Sequence, residues 1–477
     1  MPRSFFTAVR ARVLSRPVLR TMGIGLLASQ AIWILPSAAI QKLESPLMDE
    51  MLTWSTPGRA PSKIAVCVLE RKSRTAGRIA ELVRYLDASQ AEVIAVAEPL
   101  GAILEGAEAR QETAGSAALV ESLGQATVVL GFDFRDPGGG ERRARDGDAK
   151  MLKSSMVVDR ISGHSRFREM GDFEPNPEPA AQTVGFQAFL NLPSHYGVTK
   201  YAYLILSFQG NLYPSLPLRA VQVARQDEGP LAVSPRFFAS LPRLTIGERE
   251  VPIDSEGKLW IHFLGPAGTF ELYDAAEVLR APPPDRRFEG RIVFVGSSEA
   301  DRQTPFPEPM TAVEIQANVA ANLLTEDYVY ANRLRELLAS FAATILAGLL
   351  VGYLVAARKM AGVSLAVLVV FLGWPGVCLL VFRTSGSHLT VLWPVLAGGL
   401  ALVATLTFQR WILPRPSLPG EPPEVAVPGL PDEALALWQE KLNELQKALA
   451  LATGADEIFR LKKQIEGAKA MLEELGG

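Results

Sequence analysis

Four uncharged apolar stretches constrain this chain more tightly than any other feature. Residues 21–40 (TMGIGLLASQAIWILPSAAI), 337–357 (LLASFAATILAGLLVGYLVAA), 361–382 (AGVSLAVLVVFLGWPGVCLLVF) and 391–408 (VLWPVLAGGLALVATLTF) contain no Asp, Glu, Lys, Arg or His. Each approaches the ~20 residues a helix needs to cross the hydrocarbon core of a bilayer. Arg3, Arg10, Arg12, Arg16 and Arg20 precede the first stretch, whereas Glu44, Asp49 and Glu50 follow it. Arg358 and Lys359 join the second and third, and Arg410 and Arg415 follow the fourth. Basic residues collect on the cytoplasmic side. The pattern therefore predicts four transmembrane helices, with residues 1–20 and the C-terminal tail in the cytoplasm and residues 41–336 outside. The first stretch exceeds a signal-peptide core and follows a long basic region. It is read as an uncleaved anchor, with a signal peptide cleaved near PSAA as the competing reading. Spans without ionisable groups favour an anchor or signal-coupling bundle over a transporter. Small residues in AGLLVG and LAGGLALVA would let helices approach closely, in a bundle or a homo-oligomer.

The 477 residues are enough for two or three domains. Net charge is −3, which gives no basic bias toward nucleic acid. Cys67 and Cys378 are far apart and the second lies in an apolar run, so neither a disulfide framework nor a Cys-based metal site is expected. His164, His195, His262 and His388 have no i, i+4 histidine partner. No metal and no cofactor is expected.

Between the first and second spans, strand-like runs are KIAVCVL (63–69), AEVIAVA (91–97), ATVVLGF (126–132), YAYLILSF (201–208), KLWIHF (258–263) and RIVFVG (291–296). Several are almost continuously apolar, as in a buried, largely parallel sheet. Helical patterns alternate with them at 78–89, 116–124, 215–226 and 312–324, which predicts an α/β domain. The Gly-rich, charged segment 135–180 reads as a mobile surface loop. In α/β sheets the loops after parallel strands bind ligands. Glu70, Glu98 and Asp133 each follow a strand, and Ser297, Ser298, Glu299 and Asp301 follow the last one. Together they could bind a cation or a polar small molecule; as solvated loop residues or helix N-caps they would need no ligand. No Gly-x-Ser-x-Gly or Ser–His–acid signal accompanies Ser297 or Ser298, so no catalytic residue is expected.

The order of these segments resembles the type-two CHASE domain, an extracytoplasmic sensor module of bacterial signalling proteins that is followed directly by three spans. The resemblance is carried by LESPLMDEMLTW (43–54), KIAVCVLE (63–70), YAYLILSFQGNLYPSLPLRAVQVA (201–224), VPIDSEGKLWIHFLGP (251–266) and the closing GRIVFVGSSEADRQTPFPEPMTAVEIQANVAANLL. It implies a sensor in a bacterial inner membrane. The chain carries Thr311-Ala312-Val313-Glu314-Ile315-Gln316 where the family usually shows Pro-Gly-Val-Glu-Ile-His, and Glu98 where Asp is more usual.

After a Pro-rich linker (414–432), residues 433–477 carry two heptad stripes. One is Leu435, Trp438, Leu442, Leu445 and Leu449; the other is Ile458, Leu461, Ile465, Ala468, Leu472 and Leu475. Thr453 or Asp456 and Gly454 suit the turn between them, which predicts a cytoplasmic helical hairpin. The segment resembles small helical adaptor segments of bacterial effector and conflict-system proteins. No P-loop or His-kinase motif is present in it. The expected function is therefore non-enzymatic signalling, with the tail recruiting a cytoplasmic protein partner. The alternative is a membrane-disrupting effector of a bacterial defence system, triggered through the same tail.

Overall fold

The computed structural model describes residues 16–34, 37–109, 113–136, 160–161, 167–227, 232–234, 243–254, 256–330, 333–356, 364–365, 367–412, 431–451 and 455–476. The chain divides into two units, 1–412 and 413–477.

The first unit opens with helices α1 (Arg16–Gln30) and α2 (Ser37–Trp54). Its centre is a sheet whose strands, in chain order, are β1 (Ile64–Leu69), β2 (Val93–Val96), β3 (Val128–Arg135), β4 (Asp172–Glu174), β5 (Phe186–Phe189), β6 (Leu272–Asp274) and β7 (Ile292–Ser297). They lie in the order β6-β1-β7-β2-β3, with β5 pairing beside β3 and β4 continuing along the end of β3. Every pairing is parallel except β3 with β4.

Alternate strand residues point to opposite faces, and both faces of this sheet are covered, which is why the strands read as continuous apolar runs. Ala65, Cys67, Ile94, Val96, Leu130, Val293 and Val295 pack against α3 (Ala76–Ala88), α4 (Leu100–Ala109) and α5 (Thr113–Gln125). Ile64, Val66, Val93, Ala95, Val129 and Phe294 face α6 (Leu216–Ala224) and α7 (Ala312–Thr325). Thr75 caps α3 by accepting from the Arg78 N–H. At Gly296 a Cβ would sit 2.9 Å from the Val313 Cβ, so only glycine lets α7 approach β7 this closely.

Helix α7 is buried on nearly all sides, yet its sequence includes Glu314, Asn318 and Asn322. These lie four residues apart and so share one face. That face meets residues 262–270, which leave the ladder after Trp260. Asn322 Oδ1 accepts from the His262 N–H at 3.0 Å, and its Nδ2 donates to the His262 carbonyl at 2.8 Å. Asn318 Oδ1 accepts from Leu264 N–H at 3.0 Å, and Glu314 Oε1 accepts from Gly268 N–H at 2.7 Å. Side chains thus replace the missing strand neighbour and satisfy backbone groups that burial would otherwise leave unpaired.

Several expectations are corrected. YAYLILSF is two strands outside the central sheet: Tyr201–Tyr203 pairs with Lys258–Trp260, and Ile205–Phe208 forms a hairpin with Asn211–Pro214. An apolar run alone does not separate a central strand from a hairpin packed over the core. The segment 135–180 is not simply a surface loop. Residues 137–159 and 162–166 lie outside the described residues, but Met170 and Phe173 join Phe132, Phe134, Phe189, Phe208 and Tyr213 in an aromatic cluster. Asp133 lies inside β3 rather than after it, because β4 extends the ladder through Asp133↔Glu174.

Downstream are α8 (Arg333–Ala356), α9 (Trp374–Ser385) and α10 (Leu392–Ile412). Among the described residues one helix, Leu334–Ala356, has the length and apolarity to cross a membrane, with mean hydropathy 2.1; Val18–Ile34, Val369–Ser385 and Leu392–Phe408 are shorter apolar helices. The first apolar stretch does not continue as one helix to residue 40, since α1 tightens into a 3₁₀ turn at Ala31–Ile34 and α2 begins at Ser37. Helices α1, α8 and α10 pack together. The AGLLVG glycines serve this contact: a Cβ at Gly352 would meet Met22 Cα at 2.6 Å, and one at Gly348 would meet the Gly25 carbonyl oxygen at 2.7 Å. Trp33 stacks on Trp393 at 4.5 Å.

In the second unit, α11 (Pro431–Leu451) and α12 (Ala455–Gly476) pack against each other. Ile465 and Ala468 are buried, whereas Trp438, Leu442, Leu445, Leu449 and Leu461 are half-buried. The side chains of Leu435, Ile458, Leu472 and Leu475, and residues Thr453 and Gly454, lie outside the described residues.

The polar stripe of α7 yields a direct test. Asn318→Leu removes the acceptor for the Leu264 N–H in a buried site and should destabilise the protein by about 1–3 kcal/mol, read as a lowered unfolding midpoint of the full chain in detergent.

Candidate functional site

Strands β1 and β7 are neighbours, with Leu69 opposite Ser297. Helix α3, which follows β1, covers one face of the sheet, and α7, which follows β7, covers the other. Their C-terminal ends therefore form a topological switch point, the place where α/β sheets receive ligands. Glu70, Ser297 and Ser298 sit there, and Glu98 stands beside them after β2.

Glu98 is 7% exposed. Its carboxylate lies 3.1 Å from the Arg74 guanidinium and accepts from the Ser297 N–H. Burial raises its pKa, against the opposing pull of Arg74 and the Ser297 N–H. Arg74 also reaches Glu299 at 3.6 Å, and Glu299 lies 3.8 Å from Arg71. The result is a chain of alternating charge that ties the turn after β1 to the loop after β7. Ser297 Oγ accepts from the Glu299 N–H at 3.1 Å, and Ser298 N–H donates to the Leu69 carbonyl. Of the sequence candidates, Glu98, Ser297, Ser298 and Glu299 are thus drawn together. The others stand apart. Glu70 is exposed and contributes its carbonyl, which accepts from Ser73 N–H and Oγ. Asp301 is exposed and pairs with Arg302 at 3.6 Å. Asp133 has a raised pKa, first from burial and then from Glu174, with Arg302 and Arg135 opposing. Among the described residues no three His, Cys, Asp or Glu side chains are grouped as metal ligands would be. With Arg74 already against Glu98, the rim is charge-balanced and suited to a polar molecule that exchanges contacts with this network.

A second constellation, not signalled by sequence spacing, lies where this domain meets the apolar helices. Lys200, 1% exposed, donates to the Ser45 carbonyl at 3.0 Å and pairs with Asp49 at 2.6 Å, both on α2. Glu44, also on α2, accepts from the N–H groups of Val391 and Leu392 at 2.6 and 2.9 Å, capping α10. Burial raises the Glu44 pKa; these two N–H bonds oppose the rise. Helix α7 does not continue into α8. It ends at Thr325, Glu326 turns the chain with φ of 60°, and Val329 and Tyr330 bridge to Trp260 and Ser387. His262 Nδ1 lies 2.9 Å from Asp327, and its Nε2 lies 3.2 Å from Ser55 Oγ. His388 Nδ1 lies 3.0 Å from Glu336. A cavity of about 290 Å3 opens here, lined among others by Ser55, His262, Glu326, Asp327, Tyr330 and Arg383. The serine–imidazole–carboxylate order is that of a hydrolase triad. Here, however, the Ser55 hydroxyl also donates to the Leu52 carbonyl at 3.1 Å and Nε2 is equally close to the Ser55 carbonyl, a geometry that ties down the end of α2. Ser55, His262 and Asp327 are too far apart in sequence for any motif to have linked them.

For a buried acid whose folded pKa is raised, stability is gained as pH falls through that pKa. Wild type should therefore gain stability relative to Glu98→Gln between about pH 7 and about pH 5, measured by urea unfolding of both proteins at the two pH values.

No curated protein and no solved structure matches the chain. The family model for the CHASE2 domain matches residues 24–356. A match over this much of the sequence, on a domain with a largely parallel α/β sheet leading into apolar helices, shows that the chain belongs to the CHASE2 domain family.

Proposed function

We propose that this CHASE2 chain is a non-enzymatic membrane signalling protein. Residues 41–336 sense outside the cell, four helices carry the response through the bacterial inner membrane, and residues 433–477 recruit a separate cytoplasmic protein. The observation that carries this reading is the junction: the last strand–helix unit of the sensor, β7–α7, passes into α8 through a segment pinned by Asp327 and Glu336, while Lys200 grips α2 and α2 caps α10 through Glu44. A displacement at the sheet rim that moved α7 would reach α8, and through α2 it would reach α10.

A further feature supports the membrane layout. Large apolar side chains stand exposed on all four apolar helices, among them Leu27, Leu346, Leu380 and Val403, as lipid-facing residues would. For the tail, half-buried Leu442, Leu445 and Leu449 leave an apolar edge that a partner helix would cover.

Leu445→Glu and Ile465→Glu each place a charge in this seam. Both variants should insert into membranes normally and lose co-purification of the cytoplasmic partner from the native host. Recovery equal to wild type would refute the recruiting role.

A further inference from the structure

We propose that the cavity at the junction binds the headgroup of a phospholipid that carries both an ammonium and a phosphate, an inference that rests on the membrane layout above. The cavity, of about 290 Å3, is lined by the turn that leaves α7 and by the last turn of α9. Tyr330 joins these two walls by bridging to Ser387. Its size is that of the smallest ligand sites, about 300 Å3. In the proposed layout the start of α8 and the end of α9 both lie at the outer face of the bilayer, which sets the cavity level with lipid headgroups.

The lining offers unmet donors and unmet acceptors. Arg383 has no ion-pair or hydrogen-bond partner among the described residues, and a guanidinium can only donate. Tyr328 is 5% exposed, yet its hydroxyl is buried without a hydrogen-bond partner. Both suit a phosphate, which accepts. The acceptors are Asp327, Thr384 and Ser385. The Thr384 and Ser385 hydroxyls each donate at 2.8 Å, to the Leu380 and Val381 carbonyls, so their oxygens are left to accept. Asp327 lies 2.9 Å from His262 Nδ1, but that nitrogen forms no hydrogen bond, so the carboxylate keeps its lone pairs open. Glu326, by contrast, is committed to Arg249 at 2.7 Å. One uncommitted acid and one uncommitted base therefore share the cavity. A zwitterion meets both: its ammonium donates to Asp327 and the two hydroxyls, and its phosphate accepts from Arg383. An anionic headgroup satisfies Arg383 and leaves Asp327 without a counter-charge.

The surface beside the cavity favours a lipid over a free zwitterion. Leu334, Leu337 and Leu338 in the first turns of α8 are exposed, as are Val377 and Leu380 within two turns of Arg383 on α9. They give acyl chains an apolar path that ends at the headgroup.

Native mass spectrometry of the full chain, released from nanodiscs of equal phosphatidylethanolamine and phosphatidylglycerol content, tests the site. Wild type should retain phosphatidylethanolamine several-fold over phosphatidylglycerol. Arg383→Gln should lose most of that enrichment, and because Arg383 is exposed and unpaired the variant should fold normally. Asp327→Asn should retain the two lipids equally. Lys42→Gln, which removes another exposed base from α2, should keep the preference. Equal retention by wild type would overturn the proposal, as would an unchanged preference in Arg383→Gln or its loss in Lys42→Gln. Soluble glycerophosphoethanolamine, added to the chain in phosphatidylglycerol nanodiscs, should leave no adduct. A stable adduct that Arg383→Gln abolishes would assign the site to a free zwitterion and overturn the lipid. Incorporation into nanodiscs reads the membrane layout and lipid selectivity reads the site, so the two can fail separately.

Discussion

The stripe of Glu314, Asn318 and Asn322 is the interaction on which the sensor domain depends. A helix packed against the sheet would ordinarily present apolar side chains to every neighbour. Helix α7 instead keeps amides and a carboxylate in a dry interface, where each is worth its cost only if fully bonded. Burial raises the Glu314 pKa, and the N–H groups of Gly268 and Phe270 oppose that rise. These bonds hold residues 262–270 as if a strand lay beside them. They thereby fix His262, the Trp260–Val329 bridge and the start of the junction. The fold and the path toward the membrane share the same hydrogen bonds.

The rim and the junction use charge differently. At the rim, Arg71, Glu299, Arg74 and Glu98 alternate; Arg71 and Glu299 are well exposed, whereas Glu98 is buried. Exposed pairs contribute little to stability and rearrange readily. At the junction Lys200 and Glu44 are almost fully buried, and their partners lie on α2 or at the start of α10. Breaking a buried pair is strongly unfavourable. The exposed end of the rim network is thus the softer of the two, and the contacts near the apolar helices the stiffer.

Much of the architecture was legible in the sequence. The four central runs and the helices at 78–89, 116–124, 215–226 and 312–324 emerge within a few residues of their expected bounds, because burial on both faces demands uninterrupted apolar strands. Strands β5 and β6 were missed: FQAF and LYD are short, and their pairing is set by neighbours distant in sequence. Gln316 shows how a motif position can be structural, since its amide donates to the Leu190 carbonyl at 2.8 Å. At the rim the acids are legible from strand ends, but Arg74, which pairs with Glu98, is not, because a basic residue in a turn carries no spacing signal. The junction was hidden for a similar reason. Lys200, His262 and Glu44 gain meaning only when elements far apart in the chain are brought together.

The account rests on the sensor domain and the terminal helices lying on opposite sides of a bilayer. Both native cysteines, Cys67 and Cys378, are buried, so single reporter cysteines can be read against a low background. Glu289→Cys, on the exposed surface of the α/β domain, and Glu440→Cys, on exposed α11, are the natural pair. In intact spheroplasts a membrane-impermeant maleimide should label the first and reach the second only after permeabilisation. Equal labelling of both before permeabilisation would contradict the account.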